Sequence, residues 1–257
     1  MNSLVDQAHE NFLAMTRWSV RLDPAGQSLD QGGVVGLKGA LDWPSARWVL
    51  RSEPTPPKEW VETASMFLFS DGKTGCAFVR IGTDDDLAAV LLEQGWAEFG
   101  TTPEMVCEAA LAPVSDPEGF RIRLATTPDD VLAYAEVAGE AFANLAMPAE
   151  SVRDAVANPE HFLTPNAIVA VGERGDGAIV AGATAIMFSD KAYVGWVAVA
   201  NDARGNGLGD PVTRLVTNEA FARGADLVTL EASHFGENTY ARMGYREIYR
   251  YRILIKI

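Results

Sequence analysis

Alternating apolar and polar residues predict a series of short strands along the chain. In Phe120–Leu124 every second side chain is apolar, which is the period of a half-buried strand. The longer apolar runs Ala167–Val171 and Ala178–Phe188 are separated by a turn rich in glycine, which predicts a hairpin. The same criteria predict further strands at Gly32–Leu41, Ala46–Leu50, Cys76–Ile81, Trp96–Phe99, Met105–Ala109, Tyr193–Val199 and Asp226–Glu231, and a closing hairpin over Tyr245–Ile257.

Segments with helical signals lie between these strands. Thr127 and Pro128 supply a cap and a first-turn proline for a helix that reaches Ala143, and acidic residues follow them in its first turn. A helix from Asp210 to Arg223 ends before Gly224, a residue type that commonly terminates helices. Further helices are predicted at residues 3–20, Pro57–Phe69, Asp84–Gln94, Glu150–Asn158 and Glu237–Met243.

The segment Ala112–Gly119 interrupts both periodicities, because it combines two prolines, a glycine and small polar residues. We therefore expect a domain boundary here, with an α/β lobe over residues 1–115 and a second domain over residues 119–257. The strands of the second domain follow one another closely enough to predict a largely antiparallel sheet.

Composition and charge narrow the class of protein. With 48% hydrophobic and 22% charged residues, the chain has the composition of a globular protein and not of a disordered or fibrous one. The net charge of −14 argues against nucleic acid as a partner, since phosphate backbones select basic surfaces. Residues 1–118 carry 8 basic and 18 acidic side chains, against 13 and 17 in residues 119–257, so the second domain better suits an anionic ligand.

Several functional classes are not indicated. Cys76 and Cys107 are far apart and the histidines lack ligand spacing, so we predict neither a disulfide framework nor a metal site. The first residues do not resemble a signal peptide, and no apolar stretch approaches 18 residues without a charge. We expect a cytoplasmic protein that does not span a membrane.

The stretch from Val197 to Gly209 holds the clearest chemical signal. It predicts a strand that passes through a loop with three glycines into the start of a helix. Glycines let an oxyanion approach the backbone amides, and the first turn of a helix adds amides without acceptors and a favourable dipole. Arg204 adds a cation. The loop therefore predicts a phosphate-binding site, although a tight turn that needs positive φ would show the same glycines.

Two familiar phosphate-binding motifs do not fit this loop. A dinucleotide fingerprint requires a glycine where Asp210 stands, and it would open the first unit of a parallel sheet. A P-loop ends in Gly-Lys-Ser/Thr, and the triplet Gly72-Lys73-Thr74 has Phe67 where the first glycine belongs. Another nucleotide-binding or phosphate-binding enzyme stays open as a less favoured reading.

The loop and the residues after it resemble the GNAT superfamily of acyl-CoA-dependent N-acyltransferases. The family's loop reads Arg/Gln-x-x-Gly-x-Gly/Ala, and Arg204-Gly205-Asn206-Gly207-Leu208-Gly209 matches it at every specified position. Downstream, Leu230–Ser233, Gly236 and Tyr240–Tyr245 follow in an order that is similar to one family subtype. The resemblance covers residues 120–257 and implies an α/β (α+β) fold with a mixed, mostly antiparallel sheet flanked by helices.

The resemblance also implies roles for individual residues. Backbone groups of Val197, Ala198 and Val199 would pair with the pantetheine arm of acetyl-CoA and polarise the thioester carbonyl. Arg204, Gly205, Asn206, Gly207, Leu208 and Gly209 would hold the pyrophosphate, and Ser233 would hydrogen-bond the cofactor arm. Tyr240 would protonate the departing thiolate as a general acid. A packed aromatic side chain is the plainer alternative for Tyr240.

Two questions follow from departures and gaps in the pattern. Asp210 follows the loop directly, and its carboxylate would weaken pyrophosphate binding unless it points away. An ammonium nucleophile must lose a proton before it attacks, and no residue identifies itself as the base. The candidates are His234 and Glu173, with Asp190 and Glu231 as further carboxylates near strand ends.

Taken with the motifs, the resemblance predicts direct transfer of an acetyl group from acetyl-CoA to an amine in a ternary complex. A small-molecule acceptor is favoured over a protein, and a homodimer is one arrangement the sequence allows.

The first lobe ends in a helix, Gly95-Trp96 and a strand, so it resembles a degenerate GNAT-like half without a cofactor loop. An unrelated α/β lobe explains the same pattern. A non-catalytic acyl-CoA-binding module that acts through a protein partner is the alternative function.

Overall fold

A computed structural model describes residues 3–145 and 147–256. The helices are α1 (Leu4–Ser19), α2 (Pro57–Phe69), α3 (Asp85–Glu93), α4 (Pro128–Ala143), α5 (Ala149–Val156), α6 (Pro159–Phe162), α7 (Gly209–Ala222) and α8 (Glu237–Met243). The strands are β1 (Gln27–Gln31), β2 (Val34–Lys38), β3 (Arg47–Arg51), β4 (Gly75–Arg80), β5 (Ala97–Cys107), β6 (Phe120–Leu124), β7 (Ala167–Arg174), β8 (Ile179–Phe188), β9 (Lys191–Val199), β10 (Leu227–Glu231) and β11 (Arg246–Lys256).

The chain divides into two compact units. Unit 1 contains residues 3–104 together with Ala232–His234 and residues 247–256, and unit 2 contains Met105–Glu231 and Phe235–Arg246 within the described residues. This division differs from the expected boundary near residues 115–119. The last strand of the chain, β11, falls in unit 1 because it pairs with β4, a long-range contact that local sequence patterns do not encode.

Unit 1 is a sheet covered by helices. Strands β1, β2 and β3 pair antiparallel, and β3 pairs parallel with β4 after the chain has crossed through α2. Strand β11 then lies antiparallel to β4, with Tyr251 opposite Arg80. The core beneath α2 and α3 is formed by large apolar side chains that are nearly or fully excluded from water, among them Trp60, Leu68, Leu87, Leu91 and Trp96. Burial of this kind is the main favourable contribution to folding.

Unit 2 repeats that order of elements. Strands β6 to β9 pair antiparallel in sequence, and β9 pairs parallel with β10 after the chain has crossed through α7. Helix α4 begins with the expected cap: the Thr127 hydroxyl accepts from the Asp130 amide, and the Asp130 carboxylate accepts from the Thr127 amide, both at 3.2 Å. Both units thus place a helix between an antiparallel strand set and one parallel strand.

Most of the predicted elements are present, and three are wrong. Gly32–Leu41 is not one strand, because Gly32 and Gly33 form the turn between β1 and β2. The predicted strands Trp96–Phe99 and Met105–Ala109 are one continuous strand, β5. Within β5 the Pro103 carbonyl accepts from the Ala232 amide at 3.2 Å, although proline has no N–H to donate. The predicted closing hairpin is the single strand β11.

Candidate functional site

The parallel pair in unit 2 separates after a short paired segment. The register of β9 with β10 runs from Lys191 opposite Leu227 to Tyr193 opposite Thr229 and ends there, although β9 continues to Val199. On its other side β9 stays paired with β8. We call the opening beyond Tyr193 the notch. It presents the backbone of Val197, Ala198 and Val199, the residues for which a cofactor contact was predicted.

A bulge in β9 lies beside the notch. Between Gly182 and Thr184 of β8, the partner residue on β9 changes from Ala198 to Gly195, so β9 carries one extra residue. Trp196 sits at this point with φ of 54°, a conformation that residues with a side chain rarely adopt. Such a backbone persists only where its surroundings hold it in place.

Hydroxyl groups satisfy the carbonyls that the bulge displaces. The phenol of Tyr134, on α4, donates a hydrogen bond to the Trp196 carbonyl, and the Thr184 hydroxyl donates to the Gly195 carbonyl at 3.0 Å. The Tyr134 ring is fully buried against Gly182, where an added Cβ would lie only 2.4 Å from the ring. Tyr134 was not among the predicted site residues, and Gly182 is a local signal that a bulky side chain approaches β8 here.

The glycine loop follows β9 and leads into α7. Gly205 and Gly207 have φ of 83° and 75°, and a Cβ built on either of them would meet no other atom within 4 Å. The Asn206 side chain donates to the Ala203 carbonyl at 2.9 Å and closes the loop on itself. We call residues Arg204 to Gly209 the cradle. Its open side and the first-turn amides of α7 provide donors for an anion.

Helix α4 fixes the entry to the cradle. A short 3-10 turn, Asn201–Ala203, lies between β9 and the cradle. The Asn201 amide donates to the Glu140 carboxylate at 3.0 Å, and the Asn144 side chain donates to the Asn201 side-chain oxygen at 3.2 Å. Arg204 reaches the Ala141 carbonyl at 3.5 Å, so its guanidinium lies against α4 while the residue stays exposed.

Asp210, which raised doubt about anion binding, is paired with a cation. Its carboxylate binds the guanidinium of Arg214 one turn later in α7, with one Nη2 to Oδ2 distance of 3.3 Å. Arg214 also donates to the Ala112 carbonyl at 3.0 Å, which holds the guanidinium in place. The negative charge at the start of α7 is therefore compensated, and the helix dipole remains available to a phosphate.

Tyr240 lies on the short helix α8 in a partly buried position. Its ring packs over Gly236, where an added Cβ would lie 2.6 Å from the ring, and meets the ring of Tyr245 edge-on at 6.0 Å between centroids. Burial raises the pKa of the Tyr240 phenol to about 12. The phenol is therefore protonated at neutral pH and can act as a donor.

The remaining predicted residues are divided between the two units. Glu173, on β7, receives a hydrogen bond from Arg123 at 2.8 Å, and the same guanidinium binds Asp130. Glu173 is thus committed to a structural ion pair. Ser233 and His234 belong to unit 1, where His234 is exposed. The Val197–Val199 backbone, the cradle and Tyr240 all belong to unit 2.

The corresponding segment of unit 1 has a different construction. Between β3 and α2 the chain reads Ser52-Glu53-Pro54-Thr55-Pro56, so two of its five residues have no amide proton to donate. Arg51 donates to the Thr55 carbonyl and to the Asp86 carboxylate at 2.9 Å, and the Thr55 side chain fills the space beside Gly33. The Ser52 amide donates to the Gly33 carbonyl at 2.9 Å, so this segment has fewer backbone amides to offer an anion than the glycine loop has.

Among residues 3–145 and 147–256, no group of three or more His, Cys, Asp or Glu side chains is placed to hold a metal ion. Within the same part of the chain, no helix combines the length and the hydropathy needed to cross a bilayer.

Comparison with known proteins is consistent with these features. Residues 130–253 match the family model described as "Acetyltransferase (GNAT) domain". No curated protein matches the chain in sequence. A GCN5-related N-acetyltransferase from Kribbella flavida has the same fold, with a TM-score of 0.72 at 21% identity over 97% of this chain and 95% of that one.

Two other solved structures also share the fold. A GCN5-related N-acetyltransferase from Sphaerobacter thermophilus gives a TM-score of 0.68 at 19% identity, over 89% of this chain and 82% of that one. A tandem GNAT protein from the clavulanic acid biosynthesis pathway gives a TM-score of 0.63 at 12% identity, over 100% and 96%. These similarities confirm the predicted fold class, a mixed and mostly antiparallel sheet flanked by helices.

Proposed function

Because residues 130–253 match the family model of a GNAT acetyltransferase domain, we propose that unit 2 binds acetyl-CoA and transfers its acetyl group directly to an amine. The observation that carries this proposal is the continuity of notch, bulge and cradle: β9 leaves β10 after Tyr193 and leads through the glycine loop into α7. A domain of this family supports acyltransferase activity in general. The choice of acetyl-CoA and of an amine is our inference.

Each part of the site has a role in this proposal. The cradle amides from Gly205 to Gly209 hold the pyrophosphate, with Arg204 as a neighbouring cation. The β9 backbone at Val197 and Val199 pairs with the pantetheine arm and stabilises the charge that develops on the thioester oxygen. Tyr240 donates a hydrogen bond to the sulfur as the thiolate leaves. No covalent acyl-enzyme is required, because amine and thioester meet in one complex.

We further propose that unit 1 is a second GNAT-like copy that does not bind acetyl-CoA. Its support is the similar order of an antiparallel strand set, a crossing helix and a parallel strand, together with the proline-containing segment that stands at the place of the glycine loop. The tandem GNAT protein from the clavulanic acid pathway is similar in fold over the full chain, which agrees with this organisation. We favour a small-molecule amine as the acceptor.

The proposed function is tested by incubating the purified protein with acetyl-CoA and a panel of primary amines, including amino acids, polyamines and a peptide with a free N-terminus. Release of free CoA and the mass of the acetylated product are measured. We expect amine-dependent CoA release by the wild type. Binding of acetyl-CoA without acetylation of any amine would contradict the enzyme and favour the alternative of a non-catalytic acyl-CoA-binding module.

A further inference from the structure

Trp196 stands at the bulge of β9 in a conformation that suits a large side chain poorly. Its φ of 54° lies in the left-handed region, where glycine or asparagine is the usual residue and a residue as bulky as tryptophan is an outlier. The Tyr134 phenol and the Thr184 hydroxyl hold the carbonyls of Trp196 and Gly195, so the surroundings impose this backbone. Strain of this kind is concentrated at active sites and ligand sites, and it marks Trp196 as a candidate functional residue.

The register of β8 and β9 identifies the face of the sheet that lies on the side of α4. Gly182 of β8 lies against the Tyr134 ring of α4, and Thr184, two residues later, lies on the same face. Gly195 pairs with Thr184, and Tyr193 comes two residues before Gly195, so both belong to this face. An added Cβ at Gly195 would lie 3.2 Å from the Tyr193 ring. The Tyr193 ring therefore lies beside a position of β9 that has no side chain.

The Trp196 ring extends the aromatic surface on this side. It meets the Phe142 ring of α4 at 5.3 Å between centroids, with 58° between the ring planes. The Phe142 carbonyl accepts from the amides of Leu145 and Met147 at 2.9 and 3.2 Å, which fixes the end of the helix. Trp196, Phe142 and Tyr193 are all partly accessible to solvent, and all belong to unit 2. We call these three residues the aromatic wall.

Helix α7, which begins in the cradle, lies on the opposite face of the sheet. Val199 of β9 pairs with Ala181, the neighbour of Gly182, and so points away from α4. A Cβ built on Gly209, the first residue of α7, would lie 4.0 Å from the Val199 side chain. A cofactor held by the cradle therefore reaches the notch from the side of α7, and the side of α4, with the aromatic wall, is left for a second substrate.

We propose that Trp196 and Phe142, with Tyr193 beside them, determine the specificity for the acceptor, which is an amine whose aromatic group packs on the aromatic wall while its nitrogen points into the notch. This inference rests on the proposed acetyltransferase function and names its acceptor class. Aromatic groups that meet edge-on or offset are stabilised beyond the area that they bury, so an aryl group gains most from these rings. A small amine without a ring leaves the aromatic wall in contact with water and gains nothing from it.

The test compares phenethylamine with ethylamine as acceptors for the wild type and four variants. Trp196→Asn removes the ring and introduces a residue that tolerates positive φ, whereas Trp196→Phe keeps an aromatic ring. Phe142→Leu removes the second ring without changing β9. Leu132→Gln is the matched control, because Leu132 is an exposed apolar residue of α4 that lies about 15 Å along the helix from Phe142. Calorimetry with acetyl-CoA reports whether each variant keeps its cofactor site.

The measured quantity is the ratio of kcat/KM for phenethylamine to kcat/KM for ethylamine. We expect a ratio of about 100 for the wild type, as an apolar subsite discriminates strongly between groups of different size. Trp196→Asn should lower the ratio about 30-fold and Phe142→Leu about fivefold, chiefly through KM for phenethylamine. Trp196→Phe should keep the ratio within about fivefold of the wild type, and Leu132→Gln within about twofold.

The outcomes separate this inference from the proposed function. If the wild type acetylates both amines with similar kcat/KM, the inference is wrong and the function stands. The inference is also wrong if Trp196→Asn and Phe142→Leu bind acetyl-CoA normally and keep the wild-type ratio. If Trp196→Asn no longer binds acetyl-CoA, Phe142→Leu decides, and an unchanged ratio in that variant overturns the inference. If the wild type acetylates no amine at all, both the proposed function and the inference fall.

Discussion

Substitution of Tyr240 by phenylalanine removes the proposed donor to the leaving sulfur while keeping the ring that packs over Gly236 and against Tyr245. A cysteine thiol, the nearest model for CoA, has a pKa of about 8.5. Because the pKa of the Tyr240 phenol is raised to about 12, complete transfer of its proton to the thiolate is uphill by about 5 kcal/mol. Tyr240 should therefore act by donating a hydrogen bond to the sulfur as negative charge develops.

The size of the effect follows from that role. Loss of one donor to a charge that develops in a buried site costs about 3–4 kcal/mol, or ~100- to 1,000-fold in kcat. We expect Tyr240→Phe to show this loss in CoA release, with acetyl-CoA affinity by calorimetry unchanged within about threefold.

The pH dependence gives a second and sharper check. A phenol with a raised pKa stays protonated up to about pH 12, so Tyr240 should contribute no fall in kcat between pH 7 and 10. A basic limb near pH 9 that is present in the wild type and absent in Tyr240→Phe would refute this reasoning. So would a variant with wild-type kcat, since the phenol would then be a packing residue alone.

Three further predictions follow from other parts of the structure. Arg214→Gln should weaken acetyl-CoA binding about three- to tenfold in calorimetry, because the Asp210 charge is no longer compensated at the start of α7, and Asp210→Asn in the same background should restore it. Tyr134→Phe should lower the free energy of unfolding by about 1–3 kcal/mol in urea titrations, because the partly buried Trp196 carbonyl loses its donor, and it should also weaken acetyl-CoA binding. Tyr245→Phe, which loses a bond to Thr217, should affect stability without affecting binding. Burial, and then the charge of Arg80, lowers the pKa of the buried His9 side chain from 6.5 to about 4. Because the unfolded chain binds this proton more tightly, the free energy of unfolding should fall by about 3 kcal/mol as the pH drops from 6.5 to 4. An equal fall in His9→Gln would contradict this assignment.

The local elements were largely predictable because their signals are local. The cap at Thr127 and Asp130, the period of β6 and the glycines of the cradle each specify structure within a few residues. These signals predicted the fold class and the glycine loop. They also showed that Asp210 places a negative charge beside the predicted phosphate site, and Arg214, one turn later, compensates this charge.

Other features depend on contacts that are distant in sequence. The pairing of β11 with β4 joins residues about 170 positions apart, so no local pattern indicated that the last strand belongs to unit 1. The hydrogen bond from Tyr134 to Trp196 and the one from Tyr193 to Glu231 likewise join separate elements. Glu231 was one candidate carboxylate among several, and no local pattern indicated that the fold places the Tyr193 phenol against it.

Calorimetric titration with acetyl-CoA, of the wild type and of Gly207→Glu, tests most directly whether the cradle and the notch form one acetyl-CoA site. Gly207 has a φ of 75° and open space beside it, so glutamate adds backbone strain and a negative charge at the phosphate position. The account predicts micromolar-range binding of acetyl-CoA by the wild type and its loss in the variant, with both proteins folded by circular dichroism. Wild-type affinity in Gly207→Glu, or no heat with folded wild type, would contradict it.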